Sequence, residues 1–264
     1  MSWYLLLLVP VGLVVALNVY IRRSLAPERI PETSDPGALP WREVGLATRN
    51  NKRLFAWYIP APQRGPALVI MHGWGGNAQM MLPLAEPLHA AGYSLLMVDA
   101  RCHGRSDMDS FTSLPRFAED IAAALDWLAG QAEVDPALLG VLGHSVGAGA
   151  ALLVASRRPS LRMVVSLAAF AHPAAMMRRW MAFKGVPFWP VGAYMLGYIQ
   201  WVIGYRFDDI APRRSQHLSS ERLGIAPGWA GPPSRVATTA RAPARSSRPG
   251  RRSVAVRPQP IGVM

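Results

Sequence analysis

At 264 residues the chain has room for one sizeable domain with additions, and its 51% hydrophobic content is high enough that part of the apolar surface is expected to face lipid. The formal net charge of +12 is concentrated: from Arg213 onward ten Arg stand against one acid, Glu221, so this tail holds +9 and everything before it an ordinary +3. A specific nucleic-acid-binding face on the body of the chain is thereby excluded, and the single cysteine, Cys102, excludes an internal disulfide.

From Trp3 to Ile21 nineteen residues carry no charged side chain, close to the ~20 apolar residues that cross a bilayer. A cleavable signal peptide would need a basic start, a shorter apolar core and a small-x-small cleavage site, so residues 1–21 read as a transmembrane anchor contacting the bilayer through residues 3–21. Trp3, Tyr4 and Tyr20 suit the membrane interface, and Arg22-Arg23 favours a single-pass arrangement with the following domain in the cytoplasm. Four prolines between Pro27 and Pro40 make residues 22–40 a linker.

Residues 41–59 place apolar residues at short spacing on both sides of a turn-like Asn50-Asn51, as in an edge strand pair. A buried strand is expected at Ala67–Met71, running into His72-Gly73-Trp74-Gly75-Gly76, and another at Ser94–Val98, ending at Asp99. Helical spacing over 78–91 lies between them, and a helix over 115–129 and a strand over 138–142 extend the alternation, which predicts a mostly parallel α/β sheet. That last strand enters Gly143-His144-Ser145-Val146-Gly147 and then an Ala-rich helix. This is a G-x-S-x-G elbow in strand-to-helix context, where Gly143 and Gly147 allow a tight turn and Ser145 is pushed out at the helix N-terminus.

On the loop after the third strand, the segment Asp99-Ala100-Arg101-Cys102-His103-Gly104-Arg105-Ser106 after the fourth, and the elbow after the fifth, residues 41–212 resemble the α/β-hydrolase superfamily, in its lysophospholipase-like and serine-aminopeptidase-like branch. The resemblance implies Ser145 as nucleophile and the backbone N–H groups of Trp74 and Val146 as oxyanion hole. It assigns His72, Gly73, Gly143 and Gly147 to supporting the motifs, His103 and His144 to loop-shaping or filler positions, and Asp99 to bracing its loop. A strand at Met163–Leu167 is followed by a cap over residues 173–206, dense in Met, Trp, Phe and Tyr, suited to an adaptable wall for an acyl or aromatic substrate.

The remaining strands, acid and histidine of such a site are not legible after Pro212. Asp208, Asp209 and Glu221 are the downstream acids and His172 and His217 the downstream histidines, none after a plausible strand; His217 is the candidate base. From Leu223 on no Asp, Glu, Lys or His occurs, and Arg, Pro, Ala, Ser and Gly prevail without periodicity. Residues 213–264 are thus read either as a disordered basic tail contacting anionic lipid or as the product of a shifted reading frame in GC-rich DNA. The expected activity is carboxylic ester hydrolysis through an acyl-enzyme, with a serine aminopeptidase-like peptidase and a catalytically inactive, truncated hydrolase as alternatives. No metal cluster, phosphate loop or dinucleotide fingerprint stands out, so no cofactor is expected.

Overall fold

A computed structural model describes the backbone of residues 4–215 and the side chains from Leu8 onward. The candidate base His217 and nearly all of the tail lie outside the described residues. Six strands form one sheet in the order β1-β2-β4-β3-β5-β6. The hairpin of β1 (Arg42–Thr48) and β2 (Lys52–Ile59) is antiparallel. It turns at Asn50 and Asn51, both left-handed (φ 60° and 53°), a conformation that asparagine tolerates better than most residues. Then β2 lies antiparallel to β4 (Ser94–Val98), while β3 (Gly65–Met71), β4, β5 (Val134–His144) and β6 (Met163–Leu167) are mutually parallel. Strand interiors are continuously apolar, as sheets covered on both faces require. Among the described residues β6 is the sheet's outer strand on that side.

The helix expected over 78–91 forms differently. A 3-10 turn covers Ala78–Leu84 and only Ala85–Ala90 is α-helical (α2). Pro83 and Pro87 are the physical reason, because each lacks the N–H that a continuous α-helix would use. By contrast α3 (Leu114–Ala129) starts on a Ser113 side-chain cap and turns Leu114, Phe117, Ile121, Leu125 and Leu128 to the sheet. The short side chains of α4 (Val146–Arg157) let it lie close beneath β3 and β5, and Val146–Ala155 are all buried. Two helices, α5 (Pro173–Phe183) and α6 (Ala193–Ile203), make the cap, joined through an irregular turn over Phe188–Gly192.

The N-terminal segment departs from its expectation. It is a helix, α1, running over Tyr4–Ser24 past the expected boundary at 21, but among the described residues no helix is long and apolar enough to cross a membrane. Its final turn is seated on the protein, with Ile21 fully buried and Leu25 nearly so. The segment expected as a linker is also tied down. Arg29 Nε donates to Gly104 O (2.8 Å), Asn77 Nδ2 to Ile30 O (3.1 Å) and Thr33 N to Gln79 Oε1 (2.6 Å), strapping residues 29–33 across the loops that follow β3 and β4.

Candidate active site

The elbow between β5 and α4 is built around two glycines that tolerate no side chain. A Cβ on Gly143 would lie 2.3 Å from Gly147 O, and one on Gly147 would lie 2.3 Å from His72 O. Ser145 between them takes φ 53° and ψ −113°, a strained combination for a residue with a side chain. Backbone bonds hold it there: Ser145 N donates to Leu167 O at the end of β6 (2.9 Å), and Gly149 N donates to Ser145 O (3.1 Å). The side chain is half-buried at the start of α4, where helix geometry leaves the first N–H groups without intrahelical partners. Val146 N is one of these.

The loop after β3 comes directly against the elbow. A Cβ on Gly73 would sit 3.1 Å from Ser145 Cβ, so the missing side chain is what lets the two loops touch. Trp74 follows, and among the described residues its N–H has no backbone acceptor. Ser145, Val146 and Trp74 border one cavity of about 320 Å³, whose remaining wall is mostly apolar: Met176, Met177, Trp180 and Met181 from α5, Met195, Leu196 and Ile199 from α6, and Leu25 just beyond α1. Thr112 is the fully buried polar exception, its Oγ1 without a partner among the described residues.

The histidines expected to shape loops do so through specific bonds. His72 Nε2 accepts from Ala100 N (3.0 Å) while its Nδ1 lies 2.6 Å from Gly73 O, which fixes the proton on Nδ1. His103 repeats the arrangement, accepting from Gly75 N at Nε2 (3.1 Å) and facing Arg101 O with Nδ1 (3.0 Å). Both rings are thus neutral and fully used, and burial pushes both pKa values down to about 4. His172 is occupied as well: its Nδ1 accepts from Ala174 N (3.2 Å), and its Nε2 donates to Asp208 Oδ1 (2.8 Å). Among the described residues no histidine is hydrogen-bonded to Ser145 Oγ. His144, beside the serine, is exposed.

Asp99 braces two loops, with Oδ1 accepting from Ala78 N (2.6 Å) and Oδ2 from Arg105 N (2.7 Å). Half-buried Glu32 stands near it, and burial, followed by the neighbouring Asp99 carboxyl, pushes the Glu32 pKa up to about 8. Cys102 is buried, and burial raises its pKa, so its thiol is kept protonated. The spacing of residues gave no sign of a further contact: Arg101, fully buried, donates from Nε and Nη2 to Asp120 of α3 (2.6 Å at the shortest), while Thr48 Oγ1 also bonds that carboxylate. This pair pins the loop after β4 to α3 and so holds His103 under the Trp74 loop. A lone Asp on the apolar face of α3 was the available signal. Thr112 and Leu25, likewise unforeseen as cavity residues, meet through Thr112 N donating to Leu25 O (2.8 Å).

Comparison with known proteins agrees with this architecture. A family model described as serine aminopeptidase, S33, matches residues 62–214. The chain is similar to an uncharacterised protein of Mycobacterium tuberculosis, 36% identical over 142 residues that cover 53% of this chain and 50% of that one. It is also similar to a pimeloyl-(acyl-carrier protein) methyl ester esterase of Xanthomonas oryzae, 39% identical over 113 residues, 42% of this chain and 40% of that one. The chain thus spans about half the length, or less, of these curated relatives. Among solved structures an esterase of Pyrococcus furiosus superposes with a TM-score of 0.56 at 19% identity, over 75% of this chain and 84% of that one, a likeness of fold. With the sheet order, the elbow and the family match in agreement, the chain belongs to the serine aminopeptidase S33 family of α/β-hydrolases.

Proposed function

We propose that the chain is a serine hydrolase of carboxylic esters whose nucleophile is Ser145. The carrying observation is the left-handed Ser145 in the wall of an apolar cavity that Trp74 and Val146, the residues of the two expected N–H donors, also line. In this reading Ser145 Oγ attacks the ester carbonyl carbon as its proton passes to a base. The carbonyl oxygen becomes an alkoxide between the two amides, each donor worth about 3 kcal/mol of transition-state stabilisation in comparable sites. Collapse expels the alcohol, which recovers a proton, and water releases the acid from the acyl-enzyme. His217 is the candidate base. The esterase among the curated relatives supports an ester over a peptide, as does the cavity wall, which among the described residues holds no carboxylate to bind a substrate's ammonium group.

The test is labelling of the full chain by a fluorophosphonate probe. Labelling lost in Ser145→Ala, with the circular dichroism spectrum retained, agrees with the proposal; equal labelling of both proteins, or none of folded wild type, rejects it in favour of an inactive hydrolase.

Membrane attachment through residues 3–21, with the domain in the cytoplasm, belongs to the same proposal. Its support is the uncharged run followed by Arg22-Arg23, together with the exposure of Leu8, Val9, Val11, Leu13, Val15 and Val19 on α1. Cofractionation of the chain with membranes is expected; its recovery in the soluble fraction contradicts the proposal.

A further inference from the structure

The cap buries one set of large side chains around the cavity and leaves another in solvent. Phe183 is 84% exposed, Trp189 78% and Trp201 69%, an apolar display that a soluble surface rarely carries without a partner. This ridge is continuous with α1. Tyr194 Oη donates to Asn18 Oδ1 (2.9 Å), Arg22 Nε donates to Tyr198 Oη (2.9 Å), and the Arg22 guanidinium lies over the Trp201 ring, 5.7 Å from its centroid. The exposed apolar side of α1 and the outer cap aromatics are therefore fixed to one another.

We propose that the cap ridge lies in the same bilayer surface as α1, so that the mouth of the Ser145 cavity opens onto lipid acyl chains. This rests on the membrane attachment proposed above and adds the substrate class, a long-chain ester resident in the bilayer. Two observations select a lipid partner over a protein one. Cations flank the ridge in the manner of a membrane interface: Arg178 stacks over Phe188 (4.3 Å to the centroid) and Lys184 approaches Phe183 (5.9 Å), while Arg22, Arg23 and Arg179 are exposed. Met176 and Trp180 each line the cavity and are also exposed, which puts its opening on the helix that carries Phe183. An ester entering there would leave its chain in lipid until its carbonyl reached Ser145.

The experiment places a nitroxide on a single introduced cysteine in the full chain, the native Cys102 being buried, reconstituted in phosphatidylcholine–phosphatidylglycerol vesicles. The sites are Phe183→Cys and Trp189→Cys on the ridge, Leu13→Cys on α1, and Ala137→Cys, exposed at the N-terminal end of β5, as reference. Relaxation by oxygen and by an aqueous nickel chelate is compared. Expected is a shift from nickel-dominated to oxygen-dominated relaxation at 183, 189 and 13, with 137 remaining nickel-dominated. Lipid contact at 13 with nickel-dominated labels on the ridge overturns the inference and leaves the attachment standing. Nickel-dominated labels at all four sites overturn both. Spin–spin broadening at 183 without lipid contact identifies a second copy as the occupant and equally overturns it. Should Trp189→Cys not fold, Phe183, the most exposed of the set, decides alone.

Discussion

The two walls of the cavity are made in opposite ways. On the elbow side backbone meets backbone: Gly143 and Gly147 leave no room for a methyl group and Gly73 leaves little, and His72 and His103 spend both ring nitrogens on loop amides and carbonyls. On the cap side flexible methionines and aromatics surround the cavity, and other large apolar groups, Phe183, Trp189 and Trp201 among them, are exposed. A reaction needs the first kind of wall, because donors must stand still where charge develops. Accommodating an apolar substrate needs only the second, because methionine adapts its shape at little cost.

The contrast can be broken by substitution, and its largest expected effect lies beneath the elbow. Asp120→Asn takes from the buried Arg101 charge its fully buried carboxylate, leaving it only Asp109 (3.3 Å) and the half-buried Glu119 (3.1 Å), and should cost about 3 kcal/mol in chemical denaturation. A loss below 1 kcal/mol would mean that the loop after β4 is held by other contacts. Next comes Gly147→Ala, whose methyl group would meet His72 O and Met71 O at less than 3 Å; about 1–3 kcal/mol should be lost. A neutral outcome would show that the elbow can relax after all.

Titration sharpens the same comparison. The unfolded chain protonates His72 and His103 near pH 6.5, whereas the native rings resist until about 4, so unfolding takes up protons in that window and stability falls as the pH drops through it. Glu32 acts in the opposite sense. Protonated in the native state up to about pH 8 but ionised above 4.5 when unfolded, it makes stability fall as the pH rises. Above 6.5 only Glu32 operates of these three groups, so the urea midpoint should decline between pH 6.5 and 8. Glu32→Gln should flatten that decline and leave the acid-side loss in place; an unchanged profile would refute the raised Glu32 pKa. The smallest effect belongs to the cap. Phe183→Ser, at an exposed position, should change stability by no more than about 0.5 kcal/mol, and a large loss would mean that Phe183 packs within the fold.

How much the residues disclosed follows the same division. Strands Ser94–Val98 and Met163–Leu167 stand where apolar runs bounded by turn residues put them, because a buried parallel strand leaves a short continuous signal. The elbow and its partner loop were legible for a related reason: the glycines are demanded by local backbone contacts, and local demands are written locally. The stretch over 78–91 misled because its apolar period is helical while Pro83 and Pro87 forbid the hydrogen bonds of one helix. Contacts between distant segments left no periodic trace. Nothing in residues 22–40 announced that Arg29 and Thr33 would strap the loops after β3 and β4, and the Arg101–Asp120 pair joins residues nineteen positions apart on a loop and a helix. The uncharged run at 3–21 was plain, but not that its end would be packed into the protein at Ile21 and would reach the cavity wall through Leu25.

The most direct trial of the account is a crystal structure of the chain after reaction with an alkyl fluorophosphonate. The account predicts phosphorus bonded to Ser145 Oγ, the phosphoryl oxygen within about 2.7–3.1 Å of the Trp74 and Val146 nitrogens, and the alkyl chain among Met177, Met181 and Leu196. An adduct on any other side chain, or a phosphoryl oxygen turned away from both amides, would contradict it.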